Sequence, residues 1–299
     1  MSRQLKADLM LLAVTLGWGV SYILMDKALT ELGPFTLNAM RFLGAFAIAA
    51  VLGAGRLRGV SKSTVRYSFL AGVFLFGTYV GATNSVLYTS LSNAAFLCAI
   101  SVIFVPPVEW LLLRRKPRGG MLFIVAMCAA GIALMTLKED FSINREHLTG
   151  DLMGLFCAVC YGIELTVTGM AVEKDDVDAF HMGVFTLGWC GVLMAVSAFL
   201  FEKPHFPGTP AVWGSVAFLT VFCTGVAFIV QAIAQKYTTP THVGVIFTLE
   251  PVFASVAAFL IVGEVLTPRG YLGAALLIAA LILMELPLGR SKQSGGKSD

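Results

Sequence analysis

Glu250 is followed at once by Pro251 in the stretch VIFTLEPVFASVAAFLIVGEVL, residues 245–266, which is long and apolar enough to cross a bilayer. An ionised carboxylate at the centre of the hydrocarbon costs on the order of 3 kcal/mol. Glu250 therefore faces protein or water, or it carries a proton. Pro251 removes a backbone donor and crowds the carbonyl of Phe247, a bend tolerated only beside protein or a polar space. Glu164 is a second acid deep in an apolar run. Glu164 and Glu250 are the candidate proton-coupling residues, the plainer alternative being a hydrogen bond from each to a neighbouring helix. Arg41 is the one basic residue inside an apolar run. Its guanidinium suits a substrate carboxylate, or it pairs with Asp26 at the end of the preceding run. Glu264 stands near the end of its run and reaches the interface.

Softer polar side chains lie at Asn84, Asn93, Gln231, Gln235 and His242, and aromatic ones at Trp18, Tyr22 and Tyr161. His242 opens its run and reads as an interfacial residue. Trp18 and Tyr161 sit too deep for an interfacial belt, so they line a cavity or pack between helices. Trp18, Tyr22, Arg41, Asn84, Tyr161, Gln231 and Glu250 form the candidate substrate-binding set. The cysteines 98, 128, 157, 160, 190 and 223 all lie in apolar runs and read as small packing residues, Cys157 and Cys160 included.

The elements that position these residues are membrane helices. The chain is 57% hydrophobic and 13% charged, with mean hydropathy +0.82, against about 25% charged in soluble proteins. Ten apolar runs follow one another: 8–29, 33–54, 68–88, 92–113, 119–137, 150–172, 179–201, 211–234, 241–263 and 269–288. The first is too long for a signal peptide and reads as an uncleaved helix. With the N-terminus in the cytoplasm, fifteen Lys and Arg fall on the inner side and five on the outer, so both termini are expected inside.

The sequence also repeats. Asp8-Leu9-Met10 lies over Asp151-Leu152-Met153 and Trp18-Gly19 over Tyr161-Gly162, at an offset of 143; Tyr88-Thr89 lies over Tyr237-Thr238 at 149, and Pro117-Arg118-Gly119 over Pro268-Arg269-Gly270 at 151. Two five-helix units are expected, 1–140 and 141–289, followed by a disordered tail at 290–299. Five is odd, so the second unit is inverted relative to the first. Pro106-Pro107 and Pro251 fall in matching runs, and prolines so placed either break helices at a binding site or bend them for packing.

These residues resemble the drug/metabolite transporter superfamily, specifically EamA-type permeases. The resemblance rests on Trp18-Gly19-x-Ser21, on Pro34 with Arg41-Phe42, on FLCAISVIFVPPVEWLLLRRKP (96–117) and on LEPVFASVAAFLIVGE (249–264). It implies an all-α membrane protein with two inverted five-helix repeats, a central cavity and alternating access. It also implies a permease for small polar metabolites, amino acids above all. A cationic drug or amine efflux pump is the alternative within transport, and a non-transporting scaffold the alternative outside it. Small multidrug pumps of this kind carry an acid in their first helix, whereas Gly17-Trp18-Gly19-Val20-Ser21 has none; the acid falls in the second repeat, at Glu164. Neither an enzyme constellation nor a nucleotide-binding loop is visible, so no catalytic residue, metal or cofactor is expected. The expected partners are a small-molecule substrate, the lipid bilayer and protons, with no nucleic acid, in a monomer or homodimer of the bacterial inner or plasma membrane.

Overall fold

The computed structural model describes residues 3–89, 91–114, 116, 119–136, 148–262 and 266–285, and among them the chain is helical, with no strand. Glu264, the side chain of Asn93 and the 290–299 tail lie outside the described residues. The helices are α1 (Arg3–Leu29), α2 (Pro34–Leu52), α3 (Lys62–Tyr88), α4 (Leu91–Ala99), α5 (Ser101–Leu113), α6 (Gly119–Thr136), α7 (Leu148–Val172), α8 (Ala179–Phe201), α9 (Pro210–Thr220), α10 (Ala227–Gln235), α11 (Pro240–Phe247), α12 (Glu250–Val262) and α13 (Pro268–Glu285). A π-helical turn, Val221–Val226, joins α9 to α10. Counting α4–α5, α9–α10 and α11–α12 as one span each gives the ten spans the apolar runs predict. Seven described helices are long and apolar enough to cross a membrane, and the stretches 97–113, 119–135 and 268–284 are shorter apolar helices.

Helix starts carry the side chains that such starts need. Ser61 accepts from the Thr64 amide, Asp178 from those of Phe180 and His181, Thr209 from that of Val212 and Thr239 from that of His242. Gly33 cannot cap α2 with a side chain, and a distant acid does so instead. The Glu202 carboxylate accepts from the Phe35 and Thr36 amides, both at 2.8 Å. Glu31 closes the same side of the molecule by accepting from the Gly208 amide at 2.8 Å and from the Thr209 hydroxyl. That hydroxyl bond, with the two backbone donors, holds the Glu31 carboxyl below its usual range. A lowered carboxyl contributes above its ordinary range, so this clasp loosens only as pH falls through the lowered value.

The fourth span is broken, though not where its prolines stand. α5 runs through Pro106 and Pro107, while α4 ends and α5 begins at Ile100. Ile100 has ψ near 0°, and its carbonyl accepts from the Ile103 amide at 2.9 Å, a tight three-residue closure. A proline acts on the carbonyl four residues before it, here those of Val102 and Ile103, and α5 absorbs that loss without parting. The ninth span breaks at Thr248–Leu249, again with ψ near 0° at Thr248 and a tight bond from the Leu249 amide to the Ile246 carbonyl at 3.1 Å. Pro251 follows directly in the first turn of α12, where a missing donor is harmless.

The spans pack through close backbone approaches. A side chain at Gly81 in α3 would put its first carbon 2.5 Å from the Met153 carbonyl and 2.7 Å from the Cys157 nitrogen in α7. One at Gly19 in α1 would lie 2.8 Å from the Ala254 nitrogen in α12. Small residues at membrane helix interfaces permit such contact. Gly81→Ala should therefore destabilise the protein by about 1–3 kcal/mol. Thermal unfolding in detergent should show a lowered midpoint, whereas Gly214→Ala, with nothing within 4 Å of the added carbon, should leave it unchanged.

Candidate substrate cavity

Trp18, Ser21, Tyr22 and Met25 follow a three-and-four spacing and so share one face of α1. That face borders a cavity of about 80 Å³, completed by Arg41 from α2, Thr78, Tyr79 and Ala82 from α3, Cys98 and Ala99 from α4, and Ser101 from α5. Cys157 and Tyr161 from α7, Phe228 from α10, Phe247 from α11 and Glu250 from α12 close it. At 10–15 Å³ for each water, the space holds about five to eight small atoms. Both span breaks border it, between Ala99 and Ser101 and between Phe247 and Glu250.

Arg41 is 2% exposed. Its Nε donates to the Thr224 hydroxyl at 3.2 Å, its Nη1 to the Asn38 carbonyl oxygen at 3.5 Å and its Nη2 to the Tyr79 hydroxyl at 3.5 Å. The guanidinium carbon sits 4.9 Å from the centre of the Tyr79 ring. Every one of these partners is neutral, and the expected alternative partner, Asp26, is exposed at the end of α1. Asp26 sits in a watery region, where an ion pair returns little. Among the described residues, the cation therefore stands at the cavity wall without a carboxylate. The π-helical turn holds this corner, since Thr224 takes the Arg41 bond and the Cys223 carbonyl accepts the Trp18 indole N–H at 2.8 Å.

The other predicted residues divide. Glu250 borders the cavity at the start of α12, and Tyr22 lines the same wall. Glu164 is 1% exposed and does not border it. Its carboxylate accepts from the Thr168 hydroxyl at 2.8 Å and from the Gln231 amide at 2.9 Å. Gln231 in turn accepts from the Tyr161 hydroxyl at 3.1 Å. The chain Tyr161–Gln231–Glu164 thus joins the cavity wall to the buried acid. Asn84 donates to the Val80 carbonyl of its own helix at 2.7 Å and does not line the cavity. Gln235 donates to the Leu165 carbonyl at 2.8 Å.

Trp18, Tyr161, Phe228 and Phe247 form an aromatic floor, with Trp18 4.8 Å from Phe247 and Tyr161 stacked on Phe247 at 6.2 Å. Beyond the floor, on the face where α1 begins, two side-chain contacts tie the spans together. Asp8 Oδ1 lies 3.1 Å from His242 Nε2, both side chains being under 10% exposed. Thr241 donates to the Glu109 carboxylate. His242 is therefore a buried partner rather than an interfacial residue. Two carboxylates, from α1 and α5, converge on the first turn of α11, where free amides favour negative charge. Sequence reasoning missed Asp8, Glu109, Thr224, Tyr79 and the ring of Phe228. The acid in the repeated Asp-Leu-Met was the available sign for Asp8; nothing local marked the rest.

Ten spans around a small, largely aromatic cavity that carries Arg41 and Glu250 define a multi-pass integral membrane protein. Residues 5–137 and 148–286 both match the EamA-like transporter family, and the chain belongs to that family. It is 27% identical to an uncharacterized transporter of Archaeoglobus fulgidus, over 95% of this chain and 87% of the relative. It is 23% identical to the uncharacterized transporter YoaV of Bacillus subtilis, over 96% and 99%. It is 22% identical to the threonine/homoserine exporter RhtA of Escherichia coli, over 82% and 79%. A crystal structure at 19% identity shares the fold with a TM-score of 0.76, over 94% of this chain and 96% of the other.

If the Asp8–His242 and Glu109–Thr241 contacts hold the near face shut, Asp8→Asn with Thr241→Val should open it. Cys98 borders the cavity, so a water-soluble maleimide applied from the near face should label Cys98 severalfold faster in that variant than in the parent, the remaining cysteines being serine in both.

Proposed function

We propose that the protein is a secondary transporter of small zwitterionic solutes, amino acids of about the size of threonine, working by alternating access between two inverted five-helix repeats, 1–140 and 141–289. The observation that carries this reading is a buried Arg41 without a carboxylate partner on the same small cavity as Glu250. The guanidinium takes the solute carboxylate and Glu250 its ammonium group. The similarity to a threonine/homoserine exporter supports the solute class. A cationic amine alone would leave Arg41 unanswered.

The repeat reading draws support from three features. The family matches the two halves separately. The breaks fall at Ile100 and at Thr248–Leu249, close to the offset of 149 that relates Tyr88 to Tyr237. The repeated aspartates also behave alike. Asp8 holds the start of the ninth span through His242, and Asp151 accepts at 2.8 Å from the hydroxyl of Thr89, just before the fourth span. In an inverted pair those two ties lie on opposite faces, one gate to each. Both termini would then face the cytoplasm, as the Lys and Arg bias requires.

Proton coupling belongs to Glu164 through Gln231 and Tyr161, with Glu250 as the second acid. In proteoliposomes, uptake of labelled threonine by Arg41→Gln and by Glu250→Gln should require about ten- to a hundredfold more solute, the loss of one charged hydrogen-bonded contact. Glu164→Gln should bind threonine as the parent does but lose the dependence of transport on an imposed pH gradient. Unchanged half-saturation in both cavity variants would remove the zwitterion reading. An intact pH dependence in Glu164→Gln would remove Glu164 from coupling.

A further inference from the structure

A second cavity, of about 380 Å³, lies outside the substrate site, lined by Arg3, Lys6, Ala7 and Met10 of α1 and by Ile233, Ala234 and Tyr237 at the end of α10. Positions 3, 6, 7 and 10 form one face of α1, opposite Ile233 and Ala234 of α10 and Tyr237 in the turn that follows it. Small residues, Ala7 and Ala234, stand at the inner edge of the groove, both buried, where they let the two segments approach closely. The groove is two-toned. Its floor is Met10, Ile233 and the two alanines, and its rim is Arg3, Lys6 and the phenol of Tyr237, which is 41% exposed. No carboxylate lines it, and neither Arg3 nor Lys6 makes an ion pair among the described residues. Asp8, the acid nearest in sequence, is engaged by His242.

We infer that this groove binds one anionic phospholipid, its phosphate between Arg3 and Lys6 and an acyl chain along Met10 and Ile233. The charge and the apolar floor together select a lipid over a soluble anion. Basic pockets between membrane helices at this boundary suit such headgroups. The 290–299 stretch is a poor occupant, since Arg290, Lys292 and Lys297 outnumber Asp299 in it. A lipid seated here would join α1 to α10, the helices that carry Trp18 and Gln231, immediately beside the Asp8–His242 contact.

The test is native mass spectrometry of the full chain after incubation with equal phosphatidylglycerol and phosphatidylcholine. The parent should retain one phosphatidylglycerol in preference. Arg3→Gln with Lys6→Gln should reduce that retention about tenfold or more, from the loss of two surface cations. Arg58→Gln with Lys62→Gln, which removes the same charge from exposed positions on the same face, should retain it as the parent does. Both variants keep the groove's apolar floor, and identical elution in detergent shows that they fold. Equal retention by the groove variant overturns the site. Equal loss in both variants overturns it too, since general surface charge would then explain the binding. Displacement of the lipid by millimolar glycerol phosphate would show a soluble phosphate site and overturn the lipid assignment.

Discussion

A cation buried among membrane helices, with no ion-paired carboxylate among the described residues, is the constraint around which the rest is arranged. Arg41 is among the largest fully buried side chains. Taking a charge out of water costs several kcal/mol even after relaxation. The surrounding helices offset this only with neutral acceptors and the Tyr79 ring face. The π-helical turn at Val221–Val226 has a physical reason in this light. It brings Thr224 to Arg41 and frees the Cys223 carbonyl for Trp18, tying the cation and the aromatic floor to one element. Among the described residues no carboxylate lies within ion-pair distance of Arg41, and Glu250 stands elsewhere on the same cavity wall.

The breaks turn that binding corner into something able to move. α11 is eight residues long and wholly buried, and Thr248–Leu249 separates it from α12. It is gripped at its start by Asp8 and by Glu109 through Thr241, and it meets the cavity at its end through Phe247. A short, separately hinged helix with polar contacts at one end and the cavity at the other can couple the two. On the opposite side, Glu31 and Glu202 clasp the helix links by accepting backbone and hydroxyl donors. Those bonds re-form with water when broken, so they cost little to exchange.

Much of this was legible in the sequence wherever lipid makes the cost of an error large. Ten spans follow from runs of about 20 apolar residues, and Arg41, Glu164 and Glu250 stood out because charge in hydrocarbon is expensive. Trp18 and Tyr161 were visible as aromatics too deep for an interface and Tyr22 as an aromatic candidate, and all three border the cavity. The fourth-span break was misplaced because proline marks a lost donor, and α5 absorbs two such losses while Ile100 carries no signal of its own. Asn84 looked functional by type, yet an amide one turn from a carbonyl of its own helix has a local use for its donor. The partnership of Asp8 with His242, and of Arg41 with Thr224, joins residues far apart in the chain, and no local pattern encodes it.

One binding measurement tests the shared role of Arg41 and Glu250 most directly. Calorimetric titration of the purified protein would compare threonine with its methyl ester, which lacks the carboxylate, and with 2,3-dihydroxybutanoate, which lacks the amine. If Arg41 and Glu250 each take one end of the solute, both analogues should bind at least about tenfold more weakly than threonine. If the ester binds as tightly as threonine, Arg41 is structural and the cavity belongs to cationic amines, which contradicts zwitterion recognition.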